Sequence, residues 1–228
     1  MRRSPGGMAH AKTALSAAAA AELRDERDRL GWLAGAGLVG IEVPRVLDFV
    51  DGPRPTLVTS TLPGVAASSV PVALRGAGIE ALREAIGRLH ALDPATCGYE
   101  STLAVTVARA SRAVAEGTVD GDDLDAERAG RSPQSLLEEL LAGRERAESA
   151  QEHHLVVCHG DATTDNVLVE AGTGALVGIV DVGRLGVADR HRDLALAQRD
   201  GLDLSARAWT ADADQWLLHY YRLLDEFA

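Results

Sequence analysis

Long amphipathic stretches and short apolar runs alternate along this chain, and each kind is bounded by its own punctuation. Residues 14–36 follow a helical period, with Leu23, Leu30 and Leu33 on one face at i, i+7 and i+10. Residues 43–50 read as a strand with Pro44 near its start, and residues 57–60 as its neighbour. Three more helical stretches are predicted, over 72–91, ending before Asp93-Pro94, over 106–116 and over 133–146. The last opens with Ser132 as N-cap and Pro133 at the first helical position. Leu155–Cys158, Val167–Val169 and residues 176–180 are short apolar strands, the latter two joined by a turn over 170–174, and Asp189 caps a final helix to Asp200. The sum is an α+β fold, with a small mixed lobe over 1–62 and a mainly helical lobe over 63–228.

Candidate chemistry sits where the short strands end. The run His159-Gly160-Asp161-Ala162-Thr163-Thr164-Asp165-Asn166 follows the first strand, and Asp181-Val182-Gly183 follows the third. Asp161, Asn166 and Asp181 are therefore expected to converge at the ends of three neighbouring strands. Two carboxylates and a carboxamide in that order suit phosphoryl transfer: Asp161 orients and deprotonates a hydroxyl, while Asn166 and Asp181 hold the Mg²⁺ that bridges nucleotide phosphates. A metal-hydrolase reading of His159, Asp161, Asp181 and His191 is weaker, because the chain has neither a C-x-x-C nor an H-E-x-x-H. His159 is expected to fix the loop instead.

Composition narrows the class. At 228 residues and 46% apolar, the chain can bury a sizeable core, and it has no run of 18 apolar residues. A membrane span is not expected, and Arg2-Arg3 before an alanine-rich stretch lacks a signal-peptide core, so a cytoplasmic location is the default. Two cysteines, Cys97 and Cys158, make no disulfide framework. A net charge of −11 argues against nucleic acid and favours a cationic small molecule, with Asp120, Asp122, Asp123, Asp125 and Glu127 the densest acidic run. An ordinary solvated acidic loop is the plainer reading of that run. Of 23 Lys and Arg residues only Lys12 is a lysine. Glu26 lies on the apolar face of the first helix, where a lone carboxylate would cost several kcal/mol, so it needs a partner: Lys12, or Arg29 one turn on.

The segment HGDATTDNVLVEAGTGALVGIVDVGRLGVADRHRDLALAQRD, residues 159–200, resembles the aminoglycoside 3'-phosphotransferases, antibiotic kinases of the protein-kinase-like fold. VTSTLPG at 58–64, LHALDPATC at 89–97 and YRLLDEF at 221–227 extend the likeness over nearly the whole chain, and GRLGVADR at 183–190 is similar to the antibiotic-modifying branch in particular. The resemblance implies a two-lobed fold and ATP-dependent phosphorylation of a hydroxyl on a kanamycin- or neomycin-type aminoglycoside, with ATP and Mg²⁺. It implies Asp161 as catalytic base, Asn166 and Asp181 as metal ligands, and Lys12 paired with Glu26 to place the α and β phosphates. Ser60 to Leu62 would be the hinge whose backbone meets the adenine, with Thr59 behind it, though a strand ending in a Pro-Gly turn reads equally well. Asp122, Asp125, Asp225 and Glu226 would receive the antibiotic's ammonium groups, Asp193 would stiffen the catalytic loop, and Arg184 and Arg199 would shape the acidic pocket. A monomer or weak dimer is expected.

The chain departs from the family's pattern at both ends. Only MRRSPGGMAHA precedes Lys12, where a two-stranded hairpin with a glycine-rich turn is expected over the phosphates, so the N-terminal lobe reads as incomplete. That predicts weakened ATP binding and turnover, or a start further upstream. The segment from Arg199 to Tyr220 is shorter by roughly one helix, with Trp209, Trp216 and Leu217 packing its remnant. An inactive remnant, or a kinase for another small amino or hydroxy compound, are the competing readings.

Overall fold

The computed structural model describes residues 8–122, 124–204 and 213–228. Arg2, Arg3, Gly6, Gly7, Asp123 and Trp209 lie outside the described residues.

Three strands form the small sheet in the order β1 (Ala9–Thr13), β3 (Thr56–Ser60), β2 (Val46–Val50), all antiparallel, with Lys12 opposite Leu57. Helix α1 (Ala17–Leu33) lies between β1 and β2 in sequence. Ser16 caps it by accepting the Ala19 N–H at 3.1 Å, and Leu23, Leu30 and Leu33 are buried as the period predicts. Glu26 and Arg29 share that buried face, at 6% and 3% exposure, so both need partners there.

The larger part holds α2 (Arg75–His90), α3 (Leu103–Glu116), α4 (Pro133–Gln151), α5 (His191–Arg199) and α6 (Gln215–Asp225) around two small sheets. Ser132 and Pro133 open α4 as their types require, the Ser132 hydroxyl accepting the Ser135 N–H at 3.2 Å. One core runs through both parts, from Leu30 and Leu57 through Leu82, Ile86 and Leu89 to Leu136, Leu194 and Leu217. Trp216 stacks on Tyr220 at 5.3 Å, and Leu217 is buried. Among the described residues no helix is long and apolar enough to cross a membrane.

The strands around the site pair differently from expectation. Strand β6 (Val167–Val169) lies between β4 (Val65–Ala66) and β7 (Leu176–Ile179), whereas β5 (Leu155–Cys158) pairs with β8 (Gly186–Asp189) in a separate ladder, Val157 opposite Val187. β5 and β6 are thus not neighbours. β8 is Gly-Val-Ala-Asp, with a single β-branched residue and no apolar run, so periodicity carries no trace of it. Asp189 ends that strand; α5 starts at His191, whose N–H donates to Asp189 Oδ1 at 2.9 Å. Gly178 of β7 lets the chain at Glu42 come close. Glu42 bonds Val177 O and Ile179 N–H at 2.9 and 3.0 Å, and a Cβ at position 178 would stand 2.4 Å from Glu42 O.

Candidate active site

The loop after β5 is held from behind by one buried carboxylate. Asp193, fully buried in the first turn of α5, accepts the His159 N–H at 2.8 Å, the Gly160 N–H at 2.9 Å and a bond from His90 Nε2 at 3.1 Å. Burial alone would raise its pKa; the His90 hydrogen bond and the charges of His90 and His159, with the Gly160 N–H, outweigh that and hold it below the ordinary aspartate value. The His159 ring ties the loop forward. Its Nε2 donates to Val180 O at 3.0 Å and its Nδ1 accepts the Asp161 N–H at 3.3 Å, which selects one tautomer and anchors the loop to the residue before Asp181. Asp200, at the other end of α5, accepts both the N–H and the hydroxyl of Thr164, at 2.7 and 2.8 Å. Ser68 donates to Asp165 at 2.5 Å. Sequence reasoning assigned no part to Asp200 or Ser68, since a lone carboxylate at a helix end and a serine in a turn carry no periodic signal.

Gly160 makes this packing possible. Its φ is +83°, and a Cβ there would meet Arg184 O at 2.3 Å. Gly160→Ala should therefore add about 1–3 kcal/mol of strain, lowering Tm by roughly 2–4 °C per kcal/mol. It should also lower kcat by shifting Asp161; a thermal melt with kinetics checks this, and an unchanged melt refutes it.

Asp161, Asn166 and Asp181 flank one rung of backbone. Asn166 Nδ2 donates to Asp161 O and Oδ2 at 2.9 and 3.0 Å, and Asn166 O accepts the Val180 N–H at 3.0 Å. That pose commits the carboxamide nitrogen to Asp161 and turns its oxygen away. Asp181 is the one described non-glycine residue at positive φ, 58°, a conformation that costs about 1–3 kcal/mol and collects at working sites. Its side chain is about half exposed. A carboxamide oxygen and a carboxylate, with no thiolate or imidazole between them, form a donor set that fits a hard cation such as Mg²⁺.

Lys12 projects from β1 to join this group. Its Nζ bonds both Glu26 oxygens at 2.9 Å and lies 3.2 Å from Asp181 Oδ1. Burial pushes Lys12 down, but the Glu26 bond and charge, joined by those of Asp181, override it and hold the ammonium above the usual lysine value. On Glu26 burial prevails over the Lys12 bond and charge, Asp181 adds a further negative charge in the same direction, and its carboxyl is raised. Arg29, the other partner considered for Glu26, turns instead to Asp25 and Leu185.

Ser60 commits its N–H and hydroxyl to Arg45, both at 2.9 Å, so its carbonyl oxygen and the N–H of Leu62 are the groups of that pair outside these bonds. Leu62 is half-buried against Gly178, and Thr59 is buried.

Three of the four acidic residues assigned to substrate meet in one place. Asp125, Asp225 and Glu226 line a cavity of about 620 Å³ together with Asp120, Arg184 and Arg199. Asp122, the fourth, is an exposed turn residue outside that lining, its N–H donating to Asp120 Oδ1 at 2.9 Å, while Asp120 lines the cavity. Asp125, Asp225 and Glu226 are matched by arginines. Asp225 faces Arg199 at 3.2 Å and Arg184 at 3.9 Å, Glu226 faces Arg128 at 3.1 Å, and Asp125 faces Arg222 at 3.0 Å. Burial raises the Asp225 pKa against the pull of Arg184 and Arg199, and the charge of Asp161 raises it further, which puts Asp161 within electrostatic reach of this cavity.

The chain matches the family described as the phosphotransferase enzyme family over residues 9–227. It is 43% identical over 222 residues to an aminoglycoside 3'-phosphotransferase of Streptomyces fradiae, covering 90% of this chain and 80% of that protein. The crystal structure of an aminoglycoside 3'-phosphotransferase of type VIII superposes with a TM-score of 0.86 at 41% identity, over 99% of this chain and 87% of that one. An aminoglycoside phosphotransferase of Streptomyces rimosus in complex with ADP and streptomycin superposes with a TM-score of 0.84 at 30% identity, over 96% and 86%. The two-part α+β architecture is that of these protein-kinase-like enzymes. By sequence over nearly its whole length and by fold, the chain belongs to the phosphotransferase enzyme family.

Proposed function

We propose that this chain transfers the γ-phosphoryl group of ATP to a hydroxyl of an aminoglycoside of the kanamycin and neomycin type, and thereby confers resistance. The observation that carries the reading is the position of Asp161, bonded to Asn166 on one side and electrostatically coupled to the Asp225 and Arg199 wall on the other. A carboxylate there can orient a sugar hydroxyl and accept its proton as the oxygen attacks phosphorus. Asn166 and Asp181 are the residues that would hold Mg²⁺, which supplies charge neutralisation on the phosphates. Lys12, fixed by Glu26, is the cation for the α and β phosphates, with the Ser60 carbonyl and Leu62 N–H for the adenine edge. Asp125, Asp225 and Glu226 receive ammonium groups, exchanging arginine partners for those of the substrate. Use of ATP fits a cytoplasmic protein, working as a monomer or weak dimer.

The test is transfer of label from γ-labelled ATP to kanamycin, neomycin and streptomycin, with Asp161→Ala alongside. Asp161-dependent labelling of kanamycin or neomycin is expected; labelling of streptomycin alone moves the substrate class, and labelling of none removes the antibiotic reading.

Because burial raises the Asp225 pKa, its ionised form is lost at a higher pH than that of a free aspartate, about 3.9. As pH falls, KM for the aminoglycoside should climb from above that value. Asp225→Asn should show a raised, flatter KM profile, and an unchanged acid limb in that variant would count against the assignment.

A further inference from the structure

We propose that Arg29 is a positioning residue that locks helix α1 onto the loop carrying Asp181, and so holds Lys12, Glu26 and Asp181 in one cluster. The inference rests on the phosphotransferase site described above and adds to it a residue outside the groups assigned there to nucleotide and antibiotic.

Arg29 lies three residues after Glu26 and is 3% exposed. Its Nε donates to Leu185 O at 2.6 Å, its Nη1 stands 3.1 Å from Asp25 Oδ2, and its guanidinium sits 5.0 Å from the centre of the Tyr99 ring. Leu185 closes the turn that starts at Asp181, its own N–H donating to Val182 O at 3.1 Å. A short hydrogen-bonded turn thus separates the carbonyl Arg29 bonds from the strained backbone of Asp181. Three residues further along α1, Trp32 Nε1 donates to Thr96 O at 2.9 Å, edge-on to the same Tyr99 at 6.4 Å. Five residues back along α1 the helix is tied to the small sheet's side, Arg24 bonding Asp51 at 2.7 Å and Gly52 O at 3.2 Å. One helix therefore bridges the sheet that presents Lys12 and the turn that presents Asp181, with Glu26 between the two anchorages.

Why an arginine stands there is a question of geometry rather than of stability. Burying a guanidinium is costly, and an apolar side chain of similar volume would fill the space without that cost. The planar fork can bond a carbonyl and set a second nitrogen beside a carboxylate while lying against a ring. What it secures is distance: Glu26 reaches Lys12 at 2.9 Å and Lys12 reaches Asp181 at 3.2 Å only while α1 stays against the turn. A displacement of about 1 Å at such a cluster can cost on the order of 100-fold in rate.

The test is a thermodynamic cycle of Arg29→Met with Lys12→Met, read in two ways. In nucleotide-free, metal-free protein, amide hydrogen exchange over residues 181–187 should rise in Arg29→Met. In turnover, Arg29→Met should lower kcat roughly 10- to 100-fold with KM for the aminoglycoside within about twofold. In the Lys12→Met background it should lower kcat by less than about threefold, since the cluster it serves is already broken. The same fold-loss in both backgrounds, or unchanged exchange over 181–187, overturns the proposal. If Arg29→Met does not fold, Arg29→Lys enters the same cycle. A wild-type chain that transfers no phosphate overturns the reading of the site, while the exchange measurement still decides the role of Arg29.

Discussion

Asp161→Asn should lower kcat by about 10²–10⁴-fold, the range assigned to a positioned general base. The substitution is nearly isosteric, and its side-chain oxygen can still accept the bond from Asn166 Nδ2, now at 3.0 Å to Asp161 Oδ2. The loop itself should hold, because Asp193 and His159 grip its backbone rather than the Asp161 side chain. What disappears is the capacity to take a proton and the negative charge facing Arg199. Nucleotide affinity should change little, since Lys12, Glu26 and Asp181 make their contacts without Asp161. Steady-state kinetics with calorimetric ATP binding separate these effects. A loss in kcat below about tenfold, with binding intact, would remove Asp161 from the reaction.

Asp193→Ala should be the most damaging single change to the fold around the site. It leaves the His159 and Gly160 N–H groups, and His90 Nε2, without the acceptor that now serves all three. Each buried donor so orphaned costs about 1–3 kcal/mol, and breaking a buried charge pair costs about 3–5 kcal/mol in comparable cases. A stability loss of about 3–5 kcal/mol is expected, with kcat falling as the loop loses its backing. Denaturant titration measures the first, and a loss under about 1 kcal/mol would show the carboxylate to be dispensable. The pH dependence has a defined sign. The folded Asp193 pKa is depressed, so its contribution is fully present above the unfolded value of about 3.9 and is lost as pH falls through the lower folded value. Asp193→Asn should flatten that acid limb of the stability curve.

Both predictions concern residues that differ in how plainly they can be read along the chain. Asp161, Asn166 and Asp181 stand at fixed spacing beside apolar strands, and Lys12 is conspicuous as the lone lysine, so local pattern and composition were sufficient to find them. That Glu26 needs a partner was legible too, because a carboxylate on an apolar helix face demands one, but between Lys12 and Arg29 the tertiary structure chose. Strand β8 was not, since four residues of small and polar type carry no period, and its pairing with β5 is set by contacts thirty residues apart in sequence. Asp122 was named from the acidic run together with the family resemblance. In the fold its backbone is held by Asp120, which faces the cavity instead.

Local chemistry along the chain was enough to determine the class of reaction and the α+β alternation, because a hydrophobic period and a spaced set of carboxylates act within a few residues of themselves. Tertiary structure alone decided the anchorage of the loop on Asp200, the pairing of Asp125, Asp225 and Glu226 with arginines, and the grip of Arg29 on Leu185 across 156 positions. Those bonds join groups whose proximity depends on how buried faces pack, and no local preference of either partner encodes the other.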